Sequence, residues 1–138
     1  MGRVLAIDYG KKRTGIAVTD VMRIIATPLE TVVTHELLSF LKSYLQKEPV
    51  DEFVVGMPKT LLNEDSEIAP LVRKFIEVLK KDFPEKTIHL ADERITSSMA
   101  KQAMISGGMK KKDRQVKGNV DKISATIILQ SFLDTAKR

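Results

Sequence analysis

The sequence predicts an α/β fold: a mixed five-stranded sheet, built from a three-strand antiparallel meander and two parallel strands, flanked by helices. Three observations lead there. Short apolar runs bounded by Gly, Asp and Pro fill the first part of the chain, before any helical spacing appears. Strand and helix periods then alternate, which places the later strands in parallel with helices on the sheet faces. A chain of 138 residues with 43% apolar content suits one domain over 1–138 and can bury a real core.

Each element has its own signal. Arg3 to Tyr9 is apolar without alternation and is bounded by Gly10, as in a strand buried on both faces. Gly10 to Arg13 is a turn and Thr14 to Thr19 a second strand. Asp20 to Arg23 turns again, and Ile24 to Val33 is a third strand that Pro28 pushes to an edge or a bulge. Leu37, Leu38, Leu41, Tyr44 and Leu45 share one helical face, and that helix ends before Pro49. Glu52 to Met57 is a fourth strand, stopping at Gly56 and Pro58, followed by a polar loop over Lys59 to Asp65. A helix carrying Ile68, Leu71, Val72, Phe75, Ile76 and Leu79 is stopped by Pro84, and Thr87 to Ala91 is a fifth strand. Thr96 reads as the N-cap of a helix running to Ser106 and closed by Gly107-Gly108. Met109 to Asn119 reads as a mobile basic loop and Val120 to Ala136 as a last apolar helix. This order, three strands before any helix, is the pattern of a ribonuclease-H-like sheet. Ligands in such sheets gather beyond the carboxyl ends of the central strands.

Composition narrows the chemistry. Without cysteine there is no disulfide framework, thiolate metal site or thiol nucleophile. The only N-terminal apolar run is short and ends at an aspartate, so neither a signal peptide nor a membrane span is expected, and the expected setting is the cytoplasm. The net charge of +5 is concentrated: Lys110, Lys111, Lys112, Arg114, Lys117 and Lys122 face only Asp113 and Asp121 in the same stretch. Lys11-Lys12-Arg13 forms a second knot. Such clusters suit a polyanion, because phosphate contacts release condensed counterions; a solvated lysine-rich surface is the plainer reading.

Three carboxylates stand out. Asp8 interrupts an apolar strand near its carboxyl end, where a lone buried acid costs several kcal/mol unless paired or bound to a cation. A salt bridge to Lys11, Lys12 or Arg13 is the structural alternative. Asp92-Glu93 follows the fifth strand, and either acid could instead pair with Arg94. On extended backbone the two point to opposite sides; Glu93 is favoured for its longer reach, with Asp92 as the runner-up. Asp121 heads the stripe of Ala125, Ile128, Phe132 and Ala136 in the last helix. Favourable placement on the helix dipole explains an acid there, but not its face. Asp8, Glu93 and Asp121 together suggest catalysis of phosphodiester hydrolysis with divalent metal, and oxygen ligands point to Mg²⁺ or Mn²⁺ over zinc. His35 and His89 have no ligand-spaced partner and read as structural.

The stretches Ala-Ile-Asp-Tyr-Gly-Lys-Lys-Arg-Thr-Gly-Ile-Ala-Val-Thr-Asp (6–20), Val-Val-Gly-Met-Pro (54–58), Asp-Glu-Arg-Ile-Thr-Ser (92–97) and Val-Asp-Lys-Ile-Ser-Ala (120–125) resemble the YqgF/RuvX family of Holliday-junction-resolvase-like proteins. The similarity runs the length of the chain, in order and at matching spacing. It implies a ribonuclease-H-like fold, a bacterial cytoplasmic setting and processing of the 5′ end of the small-subunit rRNA precursor. It also implies a fourth strand between the first and fifth, with Gly56 leaving open the space that Glu93 crosses toward Asp8. One departure is visible. Junction resolvases carry a further acid one helical turn after the C-terminal aspartate, where this chain has Ser124. The expected partner is therefore nucleic acid, RNA favoured and structured DNA as the alternative. The expected contacts are Lys11, Lys12, Arg13, Arg94, Lys110, Lys111, Lys112, Arg114 and Lys117. Rival readings are a non-catalytic RNA-binding factor and a nucleotide-binding module, since Asp8-Tyr9-Gly10 with Thr14-Gly15 also resembles the first phosphate loop of actin-like ATPases.

Overall fold

Val4 to Ile7 is inaccessible to solvent, as expected of a strand covered on both faces, and this strand lies at the middle of the sheet. The computed structural model describes residues 2–57, 68–92 and 117–136; the side chains of 57, 92, 117–122 and 134–136 are outside that description. The strands are β1 (Arg3–Asp8), β2 (Arg13–Thr19), β3 (Ala26–Val33), β4 (Val50–Met57) and β5 (Thr87–Asp92), in the order β3-β2-β1-β4-β5. β1, β2 and β3 pair antiparallel, while β4 joins β1 and β5 in parallel. The helices are α1 (Leu37–Lys47), entered through a 3-10 turn at Thr34–Glu36, α2 (Ala69–Asp82) and α3 (Lys117–Ala136).

Strand alternation sorts the sheet into two faces. Leu5, Ile7, Ile16, Val18, Phe53 and Val55 pack with Leu37 and Leu41 of α1 and with Val72, Phe75, Ile76 and Leu79 of α2. The opposite face offers smaller residues, Val4, Ala6, Ala17 and Val54, to Ala125, Ile128 and Leu129 of α3. The buried stripe of α3 also takes in Ser124 and Leu133, so it is rotated somewhat from the 125/128/132/136 line expected from the sequence.

Several boundaries differ from the sequence expectation, each for a local reason. β3 starts at Ala26 rather than Ile24 because the Asp20 carboxylate takes the N–H groups of Met22, Ile24 and Ile25 before the ladder can. Pro28 sits on the edge strand and also at a bulge: Ile16 pairs with Glu30 and Ala17 with Pro28, leaving Leu29 extra. β4 starts at Val50, two residues early. Arg3 pairs with Val50 and Val4 with Glu52, so Asp51 is the extra residue of a second irregularity. Its carboxylate accepts from Gly2 N at 2.7 Å. β4 also runs through Gly56, which pairs with Ala91, and β5 includes Asp92, which pairs with Met57. α3 begins at Lys117, so Lys117, Gly118 and Asn119 are helical and not part of a loop. The expected 96–106 helix and the rest of the 109–119 loop lie outside the described residues.

Polar ties hold the end of the sheet remote from Asp8. Arg23, in the left-handed region at φ 58°, donates from Nε to Gly2 O at 2.7 Å and forms ion pairs with Asp51 and Glu52. Glu52 also meets His89 Nε2 at 2.8 Å, and the His89 ring lies 4.7 Å from that of Phe132 on α3. His89 thus has the structural role expected of it, joining β4, β5 and α3.

The Asp20 turn carries a pH signature. The N–H of Ile25, helped by those of Ile24 and Met22 and opposed by partial desolvation, holds the Asp20 carboxyl below its ordinary range. A depressed folded-state value contributes stability above the unfolded pKa, about 3.9, that is lost as pH falls through the folded value. Asp20→Asn should therefore be less stable than the parent at neutral pH, with the two denaturation curves converging below about pH 4. A constant difference from pH 7 to pH 2.5 would contradict this.

Candidate active site

The carboxyl ends of β1, β4 and β5 lie side by side. Asp8 is the last residue of β1 and is half-buried. Since Val4 and Ala6 face α3, alternation carries Asp8 to that same side. Its cross-strand partner on β2 is Gly15, and on the other flank Ile7 pairs with Val55, which brings Gly56 of β4 to the level of Asp8. A carboxylate flanked by two glycine positions has room beside it that larger neighbours would close. Asp8 is engaged within the protein and is not an isolated charge.

The turn after Asp8 is held by a closed ring of hydrogen bonds. Thr34 Oγ1 donates to Gly10 O at 2.7 Å, so in its 3.0 Å contact with Thr14 Oγ1 the donor is Thr14. Thr14 Oγ1 in turn accepts from Gly10 N at 3.5 Å. A further bond from Thr34 N to Lys12 O, 2.9 Å, ties the turn to the end of β3. Lys11 and Lys12 are exposed on this turn, and Arg13 is half-buried where β2 begins. Gly10 is required at its place: a Cβ there would lie 2.3 Å from the carbonyl oxygen of Arg13. Relief needs a backbone shift, so Gly10→Ala should cost about 1–3 kcal/mol in urea denaturation. An unchanged midpoint would show that the turn can relax freely.

Asp92 ends β5, in register with Met57, and β4 separates it from β1. Ile88 packs on the α1/α2 side and Ala91 on the α3 side. Asp121 is the fifth residue of α3, which has no acid in its first turn. The dipole effect fades within that turn, so favourable placement at the helix start no longer accounts for this acid. Position 121 lies one turn before Ala125, which packs against β1, β2 and β4. Ser124, one position before Ala125, is buried. Glu93, Arg94, Lys110, Lys111, Lys112 and Arg114 lie outside the described residues, and Lys117 is the first residue of α3. Among the described residues no group of three or more His, Cys, Asp or Glu lies close enough to hold a metal. Of the three expected carboxylates, then, the Asp8 side chain alone is described; for Asp121 only the backbone position is.

Sequence reading missed Thr14 and Thr34 as the lock on the turn. Thr14 is fully buried, yet in a strand a β-branched residue gives no separate signal. It also missed a pocket behind Tyr9, whose ring stacks on Phe75 with centroids 5.1 Å apart.

A five-stranded sheet in this order, with α3 on one face and α1 and α2 on the other, defines a ribonuclease-H-like protein. A solved structure of Thermus thermophilus RuvC in complex with a Holliday junction substrate has the same fold, with TM-score 0.61 and 18% identity over 99% of this chain and 96% of that one. The family described as RuvX, Holliday junction resolvase, matches residues 2–135, and the chain belongs to that family. A relative from Phocaeicola vulgatus is 56% identical over 99% of both chains, and one from Bacteroides thetaiotaomicron 52% over 99% of both. Each is named "Putative pre-16S rRNA nuclease".

Proposed function

We propose that this chain is a divalent-metal-dependent nuclease that hydrolyses phosphodiester bonds, acting in the cytoplasm on the 5′ end of the small-subunit rRNA precursor. The observation that carries the reading is the placement of Asp8. It ends a central strand, on the face that α3 covers, beside a turn that is hydrogen-bonded in place and bears Lys11 and Lys12. The names of the full-length relatives support the substrate. No helix among the described residues is long and apolar enough to cross a membrane.

The donor set fits a hard cation. The chain has no cysteine, and Asp8, Glu93 and Asp121 offer carboxylate oxygens, as Mg²⁺ or Mn²⁺ prefers. Glu93 is the second ligand in this reading for its longer reach, with Asp92 as the alternative. When bound, the metal would supply Lewis-acid polarisation of the phosphodiester and a nucleophilic water at neutral pH. The carboxylates would hold and orient the cation, while Lys11, Lys12 and Arg13 would grip flanking phosphates of the strand. The rigidity of the turn makes that grip useful, since alignment of the reacting groups is itself a large part of catalysis.

The test is incubation of the purified chain with a 5′-extended rRNA precursor fragment and with a four-way DNA junction, in Mg²⁺, Mn²⁺ or EDTA. Cleavage of the RNA that EDTA stops is the expected result. Cutting of the junction alone would move the substrate to structured DNA. Absence of cleavage, with thermal stabilisation by ATP, would overturn the nuclease reading in favour of a nucleotide-binding module.

A further inference from the structure

A pocket of about 360 Å³ opens between α1 and α2, on the side of the sheet away from α3. Its walls are apolar and partly aromatic: Tyr9 and Phe75, stacked 29° from parallel, with Leu38 and Leu71. Lys74 and His35 also line it, and among the described residues no carboxylate does. His35 lies 3.9 Å from Glu36, and Lys74 is the lysine of the rim among the described residues. The size is that of a small-molecule site.

Its place in the fold matters more than its size. Tyr9 directly follows Asp8, and successive residues at a strand end turn to opposite faces. The pocket and the Asp8 side chain thus stand on either side of one strand end, with the Gly10–Arg13 turn and its exposed Lys11 and Lys12 next to both. A strand crossing that turn would have its phosphates over the lysines and Asp8 within one residue of the pocket wall.

We propose that the pocket receives an unpaired nucleobase of the substrate strand, close to the phosphodiester at Asp8; this rests on the nuclease reading above. Aromatic and aliphatic walls suit the flat face of a base, which any sequence can offer, and Lys74, with no acid among the described lining residues, suits the phosphates on either side of it. A free nucleotide would meet the same walls but, among the described residues, only Lys74 of the rim. A strand would engage Lys11, Lys12 and Lys74 together, and so should bind far more tightly. A base can enter only when it is unpaired, so the pocket selects single-stranded segments over continuous duplex.

The test measures binding in EDTA, independently of cleavage. The methyl resonances of Leu38, Leu71 and Val78 should shift by ring current when a single-stranded RNA is added to the wild-type protein, and stay in place with a blunt RNA duplex. Tyr9→Leu keeps apolar volume against Phe75 but removes the aromatic wall. It should weaken single-strand binding by about tenfold, by fluorescence anisotropy, and leave duplex binding unchanged. Saturation by single-stranded RNA without methyl shifts would overturn the proposal even if Tyr9→Leu fails to fold. Equal affinity for AMP and for the strand would overturn it in favour of a free-nucleotide site. Methyl shifts in a protein that cuts no nucleic acid with Mg²⁺ would overturn the nuclease reading instead, leaving a strand-binding pocket.

Discussion

Asp8→Asn should reduce metal-dependent cleavage by more than about 100-fold, since even groups that only orient a metal ligand are worth about 10–100-fold. Asn keeps the size of the side chain and one acceptor oxygen but loses the charge that attracts a cation. The fold should survive, because β1 is held by the buried run Val4–Ile7 and by ladders on both sides. Metal binding gives a second measurement. A ligand that binds only the native state stabilises it, by about 1.4 kcal/mol at ten times its dissociation constant. Millimolar Mg²⁺ should therefore raise the melting temperature of the wild type by several degrees and leave that of Asp8→Asn unchanged. Full activity in the variant would remove Asp8 from the mechanism. Wild-type melting that ignores Mg²⁺ would argue that the carboxylates form no site.

The largest effect on stability should come from Phe53→Ala. Phe53 is fully buried on β4, its backbone in register with Leu5 and Ile88, and its ring lies 5.5 Å from that of Phe83 beyond the end of α2. Truncation removes the transfer free energy of the ring and leaves a cavity between sheet and helix, together about 3–5 kcal/mol. That is a large share of the 5–15 kcal/mol typical of a domain. Urea denaturation should show a lower midpoint with an unchanged slope. A loss below about 1 kcal/mol would mean that this side of the core can close over the missing ring.

Much of the fold was legible because apolar periodicity reports how each element is covered. The uninterrupted run Val4–Ile7 announced a strand buried on both faces, and the stripe through Val72, Phe75, Ile76 and Leu79 announced α2. Boundaries were less legible where a side chain or a register irregularity overrides propensity. Asp20 delays β3 by taking backbone N–H groups, and the extra residue at Asp51 lets β4 start at Val50. At Gly118-Asn119, residues that commonly mark loops lie within α3.

The same division runs through the site. Asp8 stood out as a candidate because a carboxylate in an apolar strand contradicts its surroundings, a conflict local to a few residues. What the sequence by itself determined is the class of fold, the chemistry of the candidate ligands and the family, all of which depend on residue type and on spacing along the chain. Only the tertiary structure decided that Gly15 of β2 stands opposite Asp8 and that Thr14 and Thr34 close a ring through Gly10. Only it brought Tyr9 and Phe75 together as the wall of a pocket, 66 positions apart in the chain and 5.1 Å apart in space. The physical reason is that strand order and helix docking are settled by which apolar faces cover one another, and no segment carries that information alone.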